Sequence, residues 1–368
     1  MNRELSIVKE QIKKFNLDLS ELTVITECAS GFYAYNTFVP ILAKAKKVIA
    51  VSKTTSHGSY DQNKKNIENL AEELEINTST LEIVEKLDEQ HISEADIITN
   101  SGHVRPISNK IISQMKRTAV IPLMWETWEF RDDDLDLNSA IQNDILVLGT
   151  KETSSQIDMR GYAGALGLAI LVYLKLEVYK TKVVLFGKEI LGDAIVEMFK
   201  KNGVEYLWFV DNPANESQKS YKELGNYKDI IKSYDVILFA EHSFRDEILT
   251  KEHGLTLKDL SYLNKEIKVG IIAGNIREND LIESNLEYFP KKIMPPGYLS
   301  FQTYDMGAKP VIELFSAGLK IGQQMAMHRL NGMSLEKTIE FMITKSFAMD
   351  FIGKSYMDRY KEIRGIDC

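Results

Sequence analysis

Between Lys182 and Asp211 the chain reads KVVLFGKEILGDAIVEMFKKNGVEYLWFVD, the stretch whose spacing speaks most clearly of chemistry. An apolar, β-branched run ends at Gly187; Gly192 follows, then an amphipathic helical pattern, a second apolar run, and Asp211 at its end. A glycine closing a buried strand permits a tight turn, and a helix starting there aims backbone N–H groups and a positive dipole end at an anion. An acid closing the next strand suits a ribose hydroxyl and repels a 2′-phosphate. The run Gly187-Lys188-Glu189-Ile190-Leu191-Gly192 matches the G-x-G-x-x-G turn except that Glu189 replaces the middle glycine. These residues and Asp211 predict an NAD site, with Ile190 and Leu191 in the phosphate turn. Glu189 is the discordant position, because its bulk and charge oppose a pyrophosphate. The rival reading is a strand–helix–strand unit whose glycines serve packing alone.

Other reactive side chains also fall directly after strand-like runs, where ligands of open parallel sheets bind. His242 follows one such run and is a candidate general acid/base. Ser101-Gly102-His103-Val104-Arg105-Pro106 places His103, a second catalytic candidate, beside Arg105, a candidate clamp for a carboxylate or phosphate. Trp125 and Glu126, with Trp128 and Glu129, follow another run and suit a pocket wall; Lys53 and His57 follow an earlier one. Asp158 and Arg160 stand out in an apolar segment. None of these has partners at metal-ligand spacing, so no metal is expected.

The elements that must position these groups alternate, which predicts an α/β fold with parallel sheets. Strands are expected at residues 22–26, 47–51, 80–84, 96–99, 119–124 and 145–148, and in a second series at 182–186, 206–210, 236–239 and 269–273. Helices are expected at 33–45, 61–74, 191–201 and 221–232. One long helix over 154–179 should join two Rossmann-like sheets, and a helix over 309–330 with two short successors should close the chain. At 368 residues, with 44% hydrophobic and 27% charged side chains, the chain suits two globular domains. A net charge of −8 argues against nucleic acid as a partner. Cys28 and Cys368 are the only cysteines and make no disulfide framework; the start lacks a signal-peptide pattern, so a cytoplasmic setting is expected. Residues 163–174 are apolar but too short to span a bilayer, and no membrane role is expected.

Residues 94–150, opening on Glu94-Ala95-Asp96-Ile97-Ile98 and leading into the joining helix, resemble the end of the substrate domain of D-2-hydroxyacid dehydrogenases. Gly274-Asn275-Ile276-Arg277-Glu278-Asn279-Asp280 resembles that family's Asn-x-Ala-Arg-Gly segment, and Pro295-Pro296-Gly297 stands where the family has Pro-His. S-adenosylhomocysteine hydrolase and its relatives share the layout. The resemblance implies a flavodoxin-like substrate domain of residues 1–152 with 308–368, and a Rossmann domain of residues 153–307. It further implies a ligand cleft between them, a homodimer with 163–174 and 317–326 as candidate contacts, Asn275 near the cofactor, and Arg277 on a substrate carboxylate. It also exposes a gap: the catalytic histidine position is Gly297, and the usual acid has no place.

Three functions stay open. One is an NAD-dependent oxidoreductase of a small, polar, carboxylate-bearing substrate. Another is an enzyme that retains NAD for elimination or hydrolysis. The last is a non-catalytic ligand-binding protein on the same scaffold. A methyltransferase reading of residues 22–52 is disfavoured, because Ser52-Lys53 stands where a ribose-binding acid is needed.

Overall fold

The computed structural model describes residues 2–366; Cys368 and the side chain of Glu189 lie outside that description. The strands are β1 (Thr23–Glu27), β2 (Lys47–Val51), β3 (Leu81–Val84), β4 (Ile97–Ile98), β5 (Val120–Pro122), β6 (Leu146–Thr150), β7 (Lys182–Phe186), β8 (Glu205–Val210), β9 (Gln218–Ser220), β10 (Val236–Ala240), β11 (Lys268–Ala273), β12 (Tyr288–Phe289) and β13 (Ala348–Met349). They form two sheets in two compact units, the first Met1–Asp158 with Gly307–Cys368, the second Met159–Met306.

In the first unit the order is β3-β2-β1-β4-β5-β6-β13, parallel except for β13 against β6. This corrects the flavodoxin-like expectation, whose order is 2-1-3-4-5. Strand–helix alternation fixes the sequence of elements but not where each strand is laid. The helix Ala308–Leu330 belongs to this unit and buries Ala317, Leu319, Ile321, Met325 and Ala326. Side chains on its Gly318 and Gly322 would meet Met124 at 2.8 Å and Pro122 at 3.0 Å, so these glycines let it close on β5. Residues 317–326 are therefore core, and the expected dimer contact there is withdrawn.

The second unit has the order β9-β8-β7-β10-β11-β12, all parallel. Alternate residues of β7 face opposite sides: Val183 and Leu185 enter one core with Ile170, Phe199 and Trp208, while Val184 and Phe186 enter another with Phe209, Tyr221 and Phe239. A parallel sheet covered on both faces needs such near-continuous apolar strands. The expected joining helix is shorter than its pattern: it spans Arg160–Tyr173, after turns that include left-handed Asp158, and ends before left-handed Lys175. It packs on the helix Glu189–Asn202, where a side chain on Gly164 would come within 2.5 Å of the Ala194 carbonyl oxygen and one on Gly167 within 2.7 Å of Ile195. The helix expected over 221–232 is instead a 3-10 turn, Tyr221–Tyr227, followed by the short helix Lys228–Ile231.

Candidate functional site

Each sheet reverses its winding once, between β1 and β4 in the first unit and between β7 and β10 in the second. The carboxyl ends of those strands open a crevice in this class of sheet. Gly187 and His242 follow the two strands of the second switch point and His103 a strand of the first, whereas Asp211, Asn275, Trp125 and His57 follow other strands.

In the second unit Gly187 follows β7 with φ +146°, and a side chain there would collide with the backbone of Ala240 at the end of β10. One on Gly192 would collide with the Gly187 carbonyl, whose oxygen accepts from Trp208 Nε1 at 2.6 Å. Both glycines thus have packing reasons that hold without any ligand. The helix Glu189–Asn202 starts here, on an N-cap, Lys188, that makes no side-chain cap; Glu189, Ile190 and Leu191 form its first turn. Asp211 closes this part of the site after β8, half-buried, with Asn212 Nδ2 donating to its Oδ2 at 2.5 Å. A glycine turn, a helix N-terminus and an acid on the neighbouring strand fit a dinucleotide; Glu189 at the pyrophosphate position does not.

Beyond β10, Glu241 is buried and was missed from sequence. Its Oε2 accepts from Tyr221 Oη at 2.6 Å and its Oε1 from the N–H groups of Ser243 and Phe244 at 2.9 and 3.0 Å. The signal was an acid directly after a strand; its effect is to shape the turn that carries half-buried His242. Asn275 follows β11 and donates from Nδ2 to the Arg245 carbonyl at 2.8 Å. Arg277 is close by but engaged: Nη2 binds Glu247 at 2.7 Å and Nε lies 3.3 Å from Asp280. Gly297, at φ +88°, lies directly under the guanidinium of Arg245, with which any side chain would collide. The guanidinium is the movable end of a flexible side chain, so the backbone at φ +88°, which side-chain-bearing residues rarely adopt, is what favours glycine here. Arg160 pairs with Glu197 at 3.5 Å.

In the first unit, β1 ends on Glu27, buried and likewise missed from sequence. Asn36 Nδ2 donates to its Oε1 at 3.0 Å, and a side chain on Gly102 would stand 3.3 Å from its Oε2. Burial raises its pKa, against the pull of Asn36 and of the His103 and Gly102 N–H groups. Half-buried His103 accepts at Nδ1 from the Lys53 N–H at 3.0 Å. Lys53 Nζ reaches the Arg105 carbonyl at 2.6 Å, and Arg105 itself binds Asp134 at 2.9 Å while its guanidinium lies 4.5 Å from the Trp125 ring centre. Exposed His57 sits in the Thr55–Gly58 turn. His57, His103, Arg105 and Trp125 are thus gathered near one strand edge. Glu126 belongs to a different cluster. Buried, it accepts from Trp128 Nε1 at 2.7 Å and from the Glu152 N–H at 3.1 Å, and it crowds Glu129 and Glu152. Burial and the neighbouring Glu126 carboxylate push Glu129 up to about 7, against the pull of Arg131.

A groove of about 780 Å³ opens at the amino ends of β1–β3, the edge opposite these candidates. Lys47 there pairs with Glu82 and Glu94, and Lys116 with Asp96, so its charges serve one another. Among the described residues no group of histidine, cysteine or acid side chains could hold a metal, and no helix is long and apolar enough to cross a membrane. Burial pushes the Cys28 thiol up to about 12, which leaves it a poor nucleophile.

No family model and no curated sequence matches the chain. Solved structures do share its fold. A dipicolinate synthase chain from Bacillus subtilis aligns over 88% of this chain and 99% of its own at 11% identity, TM-score 0.50. Its dipicolinate synthase counterpart from Bacillus halodurans aligns over 85% and 99% at 8% identity, TM-score 0.47. A D-isomer-specific 2-hydroxyacid dehydrogenase from Lactobacillus delbrueckii ssp. bulgaricus, in an NAD-complexed form, aligns over 84% and 98% at 10% identity, TM-score 0.45. The likeness at TM-score 0.50 concerns the fold alone.

Proposed function

We propose that the chain is an NAD(H)-dependent oxidoreductase of a small, polar, carboxylate-bearing substrate. The observation that carries this reading is the switch point of the second unit, where the Gly187 turn, the start of the helix Glu189–Asn202 and Asp211 come together. Bound there, NAD supplies the hydride acceptor. The chain's part is to hold the pyrophosphate on backbone N–H groups and the ribose on Asp211. His242 is the candidate for proton exchange in this unit. Because acids occupy Arg277, Arg245 is the better candidate for the substrate carboxylate; among the described residues no acid pairs with it. His57, His103, Arg105 and Trp125 are the substrate-binding candidates of the first unit, whereas Glu126 is committed to Trp128 Nε1 and the Glu152 N–H. A homodimer accompanies this reading, with exposed Val172 and Tyr173 as contacts.

A second reading is favoured by Gly297 lying under Arg245: a scaffold that lost its proton relay and binds a ligand without turnover. NADH oxidation against a panel of 2-oxo acids separates the two. Turnover reduced at least ~100-fold by His242→Ala supports the enzyme, general acid–base catalysis being worth about that factor. NADH binding without turnover on any 2-oxo acid supports the scaffold.

A further inference from the structure

His103 follows β4, on one side of the switch point of the first unit, and its ring meets a donor that cannot change role. The Lys53 N–H points at His103 Nδ1 at 3.0 Å. A backbone N–H only donates, so Nδ1 must present its lone pair, and a neutral imidazole then carries its proton on Nε2. Protonating Nδ1 would set two N–H groups against each other.

The surroundings oppose the imidazolium from every side. Burial lowers the pKa of His103, with further lowering by the Lys53 ammonium and by His57, both from the segment after β2. Arg105, from its own loop, has its charge paired with Asp134 at 2.9 Å. The acid from β1, Glu27, is driven toward its uncharged form by burial, and the neighbour from the helix Tyr35–Leu42, Asn36, carries no charge. Lys53 is itself held in place by its bond to the Arg105 carbonyl.

We propose that His103 is a fixed Nε2–H donor that binds a carbonyl or carboxylate oxygen of a ligand, with the Lys53 N–H as its positioning group, and that it takes no part in proton transfer. The inference rests on reading the first unit as substrate-binding. It assigns His103 polarisation and orientation of an oxygen acceptor, as neutral histidines do when a fixed hydrogen bond sets their tautomer.

The test is a two-bond proton–nitrogen correlation spectrum of the full chain labelled at histidine nitrogen, assigned with His103→Gln. It is recorded from about pH 5.5 to about pH 8, spanning the ordinary imidazole pKa. The expected result is an unprotonated Nδ1 and a protonated Nε2 at neutral pH, with any midpoint below the ordinary imidazole value and the Nε2–H resonance moving when oxamate is added. An Nδ1–H tautomer, a midpoint at or above the ordinary value, or an Nε2–H unmoved by saturating oxamate overturns the proposal. His103→Gln, whose amide nitrogen reaches the place of Nε2, should hold oxamate within about threefold; His103→Asn should lose about tenfold, the loss of one charge-assisted bond. Equal losses in both variants also overturn it. Calorimetry with NADH on the same samples reads the second unit independently, so failure of the cofactor reading and failure of this one are distinguishable.

Discussion

Asp211 and Glu189 pull the cofactor reading in opposite directions, and each can be varied alone. Asp211→Ala should weaken NADH binding about tenfold and erase any preference over NADPH, since one hydrogen bond to a charged group is worth about 1.5–3 kcal/mol. Glu189→Gly, which restores the middle glycine of the G-x-G-x-x-G turn, should tighten NADH severalfold. Titration calorimetry checks both, and unchanged affinities would detach these residues from any nucleotide. Burial and the neighbouring Glu126 lift Glu129 from an ordinary 4.5 to about 7, so the folded chain holds a proton there that the unfolded chain has released. That contribution to stability is present at low pH and is lost as pH rises from about 4.5 to about 7. Glu129→Gln should flatten the decline of Tm across this window; a decline of the same size in both proteins would mean the cluster does not hold the proton. His103, whose pKa is lowered, acts with the opposite sign and loses stability as pH falls through the ordinary imidazole range.

At the scale of elements, most of the strands were legible because β-branched, apolar runs such as Lys182–Phe186 and Lys47–Val51 have one reading in a parallel sheet. The short edge strands β9, β12 and β13 were not, since two or three residues carry no periodicity. Nor was the end of the joining helix, where left-handed Lys175 breaks an otherwise continuous apolar pattern. That helix owes its place to Gly164 and Gly167, which bring its backbone against the helix Glu189–Asn202. Gly164→Ala should destabilise the second unit by about 1–3 kcal/mol, the usual cost of overpacking, read from the denaturant midpoint. An unchanged midpoint would mean the two helices can part freely.

Across the whole molecule, the same winding occurs twice, and each unit has its own switch point. The candidate residues were legible because reactive side chains right after apolar runs, His103 and His242 among them, must land at strand ends. Their partners were not, because pairing depends on neighbours distant in sequence: Glu247 on Arg277, the Lys53 N–H on His103, Arg245 over Gly297. The resemblance to D-2-hydroxyacid dehydrogenases set an expectation of histidine against Gly297; the structure shows a glycine at φ +88° beneath the Arg245 guanidinium. Calorimetric titration of nucleotide-free protein with NADH and NADPH decides whether the second unit binds a dinucleotide. Saturable NADH binding is expected, with NADPH at least ~10-fold weaker, because Asp211 repels a 2′-phosphate. Binding of neither nucleotide by the folded protein would contradict that expectation and leave Gly187 and Gly192 as residues of packing alone.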